Sequence, residues 1–170
     1  MLEQFCIKDF DEIYKIMENS FPLTEFRPKK EQLALFDDNR YHILGIRRNG
    51  KIISFAAVWH FDEFLFIEHL ATMPKYRNQG LGKNILCELI QNDNGIVCLE
   101  VEPPIDELTN RRVAFYERCG MCFNSYPYIQ PSITKGRSPV SLFIMTSHHT
   151  IDELEFNHIK NLLYKNVYKI

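Results

Sequence analysis

A chain of 170 residues carrying 20 basic and 22 acidic side chains is long enough for one domain whose core needs no cross-links, and its formal charge of -2 gives no basic excess to draw it to nucleic acid or an anionic membrane. Its five cysteines, an odd number scattered through periodic segments, suit buried thiols in a reducing cytoplasm better than a disulfide framework. Acids lie within the N-terminal stretch MLEQFCIKDFDEIYKIM, and His60, Asp62 and Glu63 break the most apolar run, Ile52 to Phe66, so neither a secretory leader nor a membrane span is expected.

In chain order, Phe10, Ile13, Ile16 and Met17 recur at helical spacing and predict a helix over Phe10 to Ser20, followed by a short one over Glu31 to Phe36. Tyr41 to Arg47 reads as a strand, Asn49-Gly50 as a hairpin turn, and Lys51 to Phe61 as a return strand rich in β-branched and aromatic residues. Asp62-Glu63 turns the chain again into a strand over Phe64 to Thr72, so the sheet begins as an antiparallel meander. After Pro74 a glycine-bearing loop opens a helix that runs to about Gln91, and Ile96 to Val101 is a short buried-type strand. This strand–helix–strand unit predicts a right-handed parallel crossover. A helix from Thr109 to Arg118 is closed by Cys119-Gly120, and Met121 to Phe123 and Pro139 to Thr146 read as closing strands around a proline-containing loop. Ile151 to Val167 carries Ile151, Leu154, His158, Ile159, Leu162 and Leu163 at helical spacing, which predicts a C-terminal helix packing its apolar stripe on the domain. The expected organisation is one domain over residues 1–147 with a helical extension over 148–170 packed on it.

The loop is the chemically informative stretch: Tyr76-Arg77-Asn78-Gln79-Gly80-Leu81-Gly82-Lys83 runs straight into the apolar helix. The first amides of a helix have no intrahelical acceptor and sit at the positive end of its dipole, so a phosphate group is a natural ligand there. Arg77 adds a fork of donors and Lys83 a mobile charge. A Walker loop is a poor match, because Asn84 follows Lys83 and no glycine stands five residues before Gly82. A dinucleotide fingerprint lacks its third glycine, since position 85 is isoleucine, and would follow a parallel first strand rather than a meander. An ordinary helix start with glycines for tight packing is the plain alternative.

Arg77-Asn-Gln-Gly80-Leu-Gly82 resembles the Q/R-x-x-G-x-G/A signature of the GNAT acetyltransferase superfamily, and it follows the strand after which that family places it. A second stretch, RRVAFYERCGM from Arg111 to Met121, resembles the family's Tyr-Glu-Arg-x-Gly helix end, and the likeness runs from about Phe5 to Thr146. The resemblance implies an α+β fold with a mixed sheet of six to seven strands. It would have an antiparallel N-terminal meander, a central parallel pair splayed around the cofactor, flanking helices and here an extra C-terminal helix. It implies that the anion is the pyrophosphate of coenzyme A, held by the main chain of Arg77, Asn78, Gln79, Gly80, Leu81, Gly82 and Lys83, with the pantetheine arm along the edge of Leu70, Ala71 and Thr72. It further implies acetyl-CoA as co-substrate, no metal, and a small-molecule or peptide amine as acceptor; a homodimer is compatible with it.

Acyl transfer to an amine has two proton problems. An amine with a pKa of about 10.4 must lose a proton before it attacks, and the leaving thiolate must be protonated or otherwise stabilised. Tyr116 matches the family's acid position and its phenol can donate; the plain alternative is a tyrosine packed in the helix interface. For the base, Glu68 would share a strand face with Phe64, Phe66 and Leu70, so a carboxylate stands in an apolar file with a pKa expected to be raised. Glu100 and Glu102 share a face on the next strand and, with Glu68, could line an acidic path for a cationic amine, or could be salt-bridged at sheet ends. The family often has a cofactor-contacting asparagine seven residues before the tyrosine; that position is Thr109 here, with Asn110 one residue later as the candidate. Tyr126 and Tyr128 fall between the closing strands, where they could contact the acceptor or simply pack.

Other signals carry less. Cys119-Gly-Met-Cys122 closes a helix, where a thioredoxin-type cysteine would open one, and it lacks a second pair for zinc. His148-His149 reads as a turn. His69 and His60 are alternative proton acceptors, with His69 pointing away from Glu68 in a regular strand.

Overall fold

Asn49 and Gly50 take φ of 51° and 75°, the left-handed pair that a tight hairpin needs, and join β2 (Tyr41–Arg48) to β3 (Lys51–His60). β4 (Phe64–Thr72) returns antiparallel along β3, and β1 (Glu3–Phe5) pairs antiparallel with β2. Every residue from Ile52 to Trp59 is buried, which explains why β3 reads as a nearly continuous apolar run, with Ser54 its one polar residue, rather than an alternating one. The computed structural model describes all residues from Met1 to Ile170, and their contacts gather into two compact units, Met1–Val97 and Cys98–Ile170.

In the first unit α1 (Phe10–Ser20) buries Phe10, Ile13, Tyr14, Ile16 and Met17. Each such side chain contributes roughly 1.5–3 kcal/mol when fully withdrawn from water. α2 (Lys29–Ala34) starts directly after Pro28, two residues earlier than predicted, and tightens into a 3-10 turn over Leu35–Asp37. α3 (Leu81–Asn92) buries Leu81, Ile85, Leu86 and Leu89, the i, i+4, i+5, i+8 stripe visible in the sequence.

β5 (Ile96–Val101) crosses from the first unit into the second, which continues with α4 (Glu107–Arg118), β6 (Met121–Gln130), β7 (Val140–Ser147) and α5 (Glu153–Asn166). The strand order is β1-β2-β3-β4-β5-β7-β6, with one parallel pair, β4 and β5. Asp106 accepts from the Thr109 amide at 2.8 Å in a capping box, so α4 begins at Glu107 rather than at Thr109. β6 corrects the predicted loop: it runs through Tyr126-Pro127-Tyr128 to Gln130. Asn124 pairs with Ile144 and Tyr128 with Leu142, so Ser125, Tyr126 and Pro127 together face only Phe143. A proline that would break a regular ladder is accommodated in that bulge.

Asp152 and Glu155 form a second capping box for α5, whose buried face is Phe156, Ile159 and Leu163. Leu154, assigned to that stripe from spacing, is 79% exposed. The Phe156 ring stacks on Tyr126 at 4.9 Å, and the Tyr164 hydroxyl donates to the Ile129 carbonyl at 2.5 Å. No helix is long and apolar enough to cross a membrane.

Candidate functional site

In the first unit Pro74–Tyr76 form a 3-10 turn after β4, and Arg77 to Gly80 follow as an exposed loop. Asn78 (φ 62°) and Gly80 (φ 77°) are both left-handed, and Gly80 is the N-cap of α3 with no side-chain hydrogen bond to the helix. The first amides of α3 therefore lack a side-chain acceptor, and nothing lies within 4 Å of where a Gly80 Cβ would stand. A loop of this shape fits a phosphate: its main chain can approach closely, and the dipole of a 12-residue helix favours negative charge at that end. Arg77 Nε donates to the Thr72 carbonyl at 3.2 Å, which ties the loop back to the end of β4, while Lys83 is exposed. Upstream, Ser54 Oγ donates to the Ala71 carbonyl at 3.0 Å and lies 2.8 Å from Thr72 Oγ1.

β4 is not regular. Ala57 pairs with His69 and Val58 with Ile67, so Glu68 is a bulge residue with no partner on β3. The bulge breaks the alternation expected along the strand: Phe66 and His69 lie opposite Trp59 and Ala57, which share one face, while Leu70 lies opposite Ala56 on the other. Glu68 turns to the Trp59 face. Its Oε2 accepts from Trp59 Nε1 at 2.8 Å and its Oε1 from Arg27 Nη1 at 2.6 Å, with the two charged side chains 2% and 6% exposed. Gln32, itself buried, accepts from the Arg27 amide at 3.2 Å and donates to the Tyr41 hydroxyl at 3.0 Å. His69 donates from Nε2 to the Glu25 carbonyl, 2.7 Å away, and its buried Nδ1 has no hydrogen-bond partner.

The expectation of a raised Glu68 pKa is overturned. Burial does push the carboxyl up, but the Arg27 guanidinium and the hydrogen bond from Trp59 outweigh it and hold Glu68 below the usual carboxylate value. Burial pushes His69 down despite the pull of Glu68, so its imidazole is neutral near pH 7. The same burial, with Glu68 beside it, drives the Tyr41 phenol far above its ordinary range.

In the second unit Tyr116 lies on the last turn of α4, half-buried, its ring edge-on to Phe115 at 5.3 Å. Asn110 is exposed, and its side-chain amide donates to the carbonyls of Asp106 (2.6 Å) and Pro104 (3.3 Å), bracing the turn into α4. Glu100 accepts from Tyr128 at 2.5 Å and from Tyr168 at 2.7 and 2.8 Å on its two oxygens. Burial first, and Glu100 second, push the Tyr128 phenol far above its ordinary range. Glu102 pairs with Arg112.

Residues 10–121 match the acetyltransferase (GNAT) family. The chain belongs to that family. Over 112 residues it is 34% identical to YjbC of Bacillus subtilis (strain 168), named as an acetyltransferase; the match covers 62% of this chain and 54% of the relative, so it spans about half the length of that curated protein. A GNAT-family protein from Bacteroides thetaiotaomicron superposes with a TM-score of 0.89 at 29% identity, covering 100% of this chain and 99% of that one. The yncA protein of Salmonella typhimurium, solved with its cofactor acetyl-CoA, matches with a TM-score of 0.61 at 16% identity over 90% of this chain and 98% of that one. At that identity the likeness shows the fold alone.

For the GNAT chain as folded, the glutamates suggested as a common acidic lining each have partners of their own: Glu68 with Arg27 and Trp59, Glu100 with Tyr128 and Tyr168, Glu102 with Arg112. Tyr128 is 2% exposed and its hydroxyl donates to Glu100, while Tyr126, half-buried, donates to the Ile151 carbonyl at 3.3 Å. Arg27, Trp59 and Tyr168 were not singled out from the sequence. A lone arginine between Phe26 and Pro28, in a stretch with no helical or strand period, is the one signal that could have flagged Arg27. Cys119 and Cys122 are free thiols, and no cluster of three or more candidate ligands could hold a metal.

Proposed function

We propose that this chain moves an acetyl group from acetyl-CoA to a primary amine by direct attack within a ternary complex. The observation that carries the reading is the stretch from Arg77 to Lys83, which follows β4 after the Pro74–Tyr76 turn and opens α3 through a left-handed Gly80 with no side-chain cap. Acetyl-CoA supplies an activated thioester. The chain's own contribution begins with binding: main-chain amides at the start of α3 and the Arg77 and Lys83 cations hold the pyrophosphate, and the Leu70–Thr72 main chain holds the pantetheine arm. Tyr116 is assigned as the acid that donates a proton to the departing sulfur as the new C–N bond replaces the C–S bond. Both oxygens of Glu68 already accept hydrogen bonds, from Arg27 and Trp59, so the amine's proton is assigned to a base from solution rather than to that carboxylate.

Calorimetric titration with coenzyme A, followed by thiol release from acetyl-CoA across a panel of polyamines, amino acids and peptide amines, tests this. Saturable binding and amine-dependent release are expected. Tyr116→Phe should bind coenzyme A normally and lose about 10²-fold in kcat; unchanged turnover would remove Tyr116 from the mechanism. One observation favours a second reading, a coenzyme A-binding module without turnover: the buried carboxylate of Glu68 is committed to an ion pair. Binding with no release across the whole panel would select that reading.

A further inference from the structure

Glu68 and His69 are consecutive, and in a regular strand they would face opposite ways. The bulge turns both to the same side, where they hold two positions of one segment: Glu68 pairs with the Arg27 side chain and His69 donates to the Glu25 carbonyl. The Phe21 ring adds a contact with His69 at 4.9 Å, and the Arg27 carbonyl accepts from Tyr14 of α1 at 3.2 Å. A bulge fixes where the register of a strand shifts, and a slip of one residue exchanges its faces. Here the shift falls between the Phe66–Trp59 pair and the stretch from Leu70 to Thr72, which pairs with Ala56 to Ser54. Taking up a proton at Glu68 would remove the carboxylate charge that faces the Arg27 guanidinium, itself 6% exposed.

We infer that Glu68 is a positioning residue: by binding Arg27 and Trp59 it locks the β4 bulge and so sets the main-chain edge of Leu70–Thr72 that receives the donor. This rests on the donor assignment made under Proposed function. Glu68 acts on the reaction through that edge and is not the proton acceptor.

Three proteins test it: wild type, Glu68→Gln, and the double variant Arg27→Gln/Glu68→Gln, whose two amides can hydrogen-bond each other without charge. Amide exchange over residues 66–72 reads the bulge with no donor present; coenzyme A affinity and the kcat and KM of acetyl transfer read its consequence. Positioning predicts faster exchange and about ten-fold weaker coenzyme A binding in Glu68→Gln, a kcat within about ten-fold of wild type, and recovery of both exchange and affinity in the double variant. A general base predicts the reverse: exchange and affinity unchanged, kcat lower by 10²–10⁴, and a double variant as slow as the single one, which overturns the proposal. If Glu68→Gln does not fold, the double variant decides alone by the same readouts. If wild type binds no coenzyme A, the donor assignment fails, while the exchange measurements still show whether Glu68 locks the bulge.

Discussion

Glu68 in the first unit and Glu100 in the second are both carboxylates on sheet strands with every stated partner drawn from their own unit, yet they are satisfied in opposite ways. Glu68 meets a guanidinium and an indole N–H, whereas Glu100 meets two phenols. A cation beside a buried carboxylate stabilises its charge and makes removal of either partner costly. The two phenols stabilise the carboxylate by hydrogen bonds, and the ionisation of Tyr128 is pushed up by burial first and by the Glu100 charge second. The first arrangement is sensitive to loss of a charge; the second is sensitive to loss of a proton.

The contrast is broken most forcefully at Arg27. Arg27→Met strands Glu68 in a buried site and should lower stability by about 3–5 kcal/mol, measured by urea denaturation, with Arg27→Met/Glu68→Leu recovering most of the loss. Tyr128→Phe removes one of the hydrogen bonds to Glu100 with little change of shape and should cost about 1.5–3 kcal/mol in the same assay; a loss equal to that of Arg27→Met would erase the distinction. Gly80→Ala calibrates both, since its cost is backbone strain alone. With φ at 77° and no atom near the new methyl group, about 1–2 kcal/mol is expected, together with weaker coenzyme A binding.

The gentlest probe is pH, at most about 1.4 kcal/mol per unit for each titrating proton. The folded pKa of His69 lies below its ordinary 6.5 and that of Glu68 below its ordinary 4.5, so between folded and unfolded values the unfolded chain binds more protons. Stability from these groups is present above those ordinary values and is lost as pH falls, His69 first and Glu68 further down. Tyr128 runs the other way: its folded pKa lies above the ordinary 10, so its contribution is complete below pH 10 and is lost as pH rises beyond it. Amide exchange should therefore show residues 66–72 loosening in acid and the Tyr128 stretch of β6 loosening in alkali. Tyr41 should add an alkaline loss to the first unit as well.

Much of this was legible locally. The hairpin at Asn49-Gly50, the meander it starts and the glycine loop into α3 depend on neighbours a few residues apart, and the sequence places them correctly. The Glu68 environment was not legible, because its partners come from Trp59 and from Arg27, 41 residues away, and because a one-residue bulge leaves no mark on composition. Strand alternation consequently gave Glu68 the wrong neighbour in Leu70 and sent His69 to the wrong face. Pro127 misled in the opposite direction: a proline argues for a loop, and only the three-against-one bulge opposite Phe143 makes it tolerable within a strand. In α5 the spacing admitted Leu154, which lies about 140° round the helix from Ile159, whereas Phe156, about 60° from it, is the residue turned inward.

Pro127 also bears on how copies of the chain meet. β6 is the last strand of the sheet, and at Pro127 it offers no N–H to an incoming strand just where the bulge breaks the ladder; β1, at the opposite end, is three residues long. An added strand would find a short template at one end and an interrupted one at the other. Both margins of a seven-stranded sheet are thereby poor seeds for the edge-to-edge pairing that leads to fibrous aggregates.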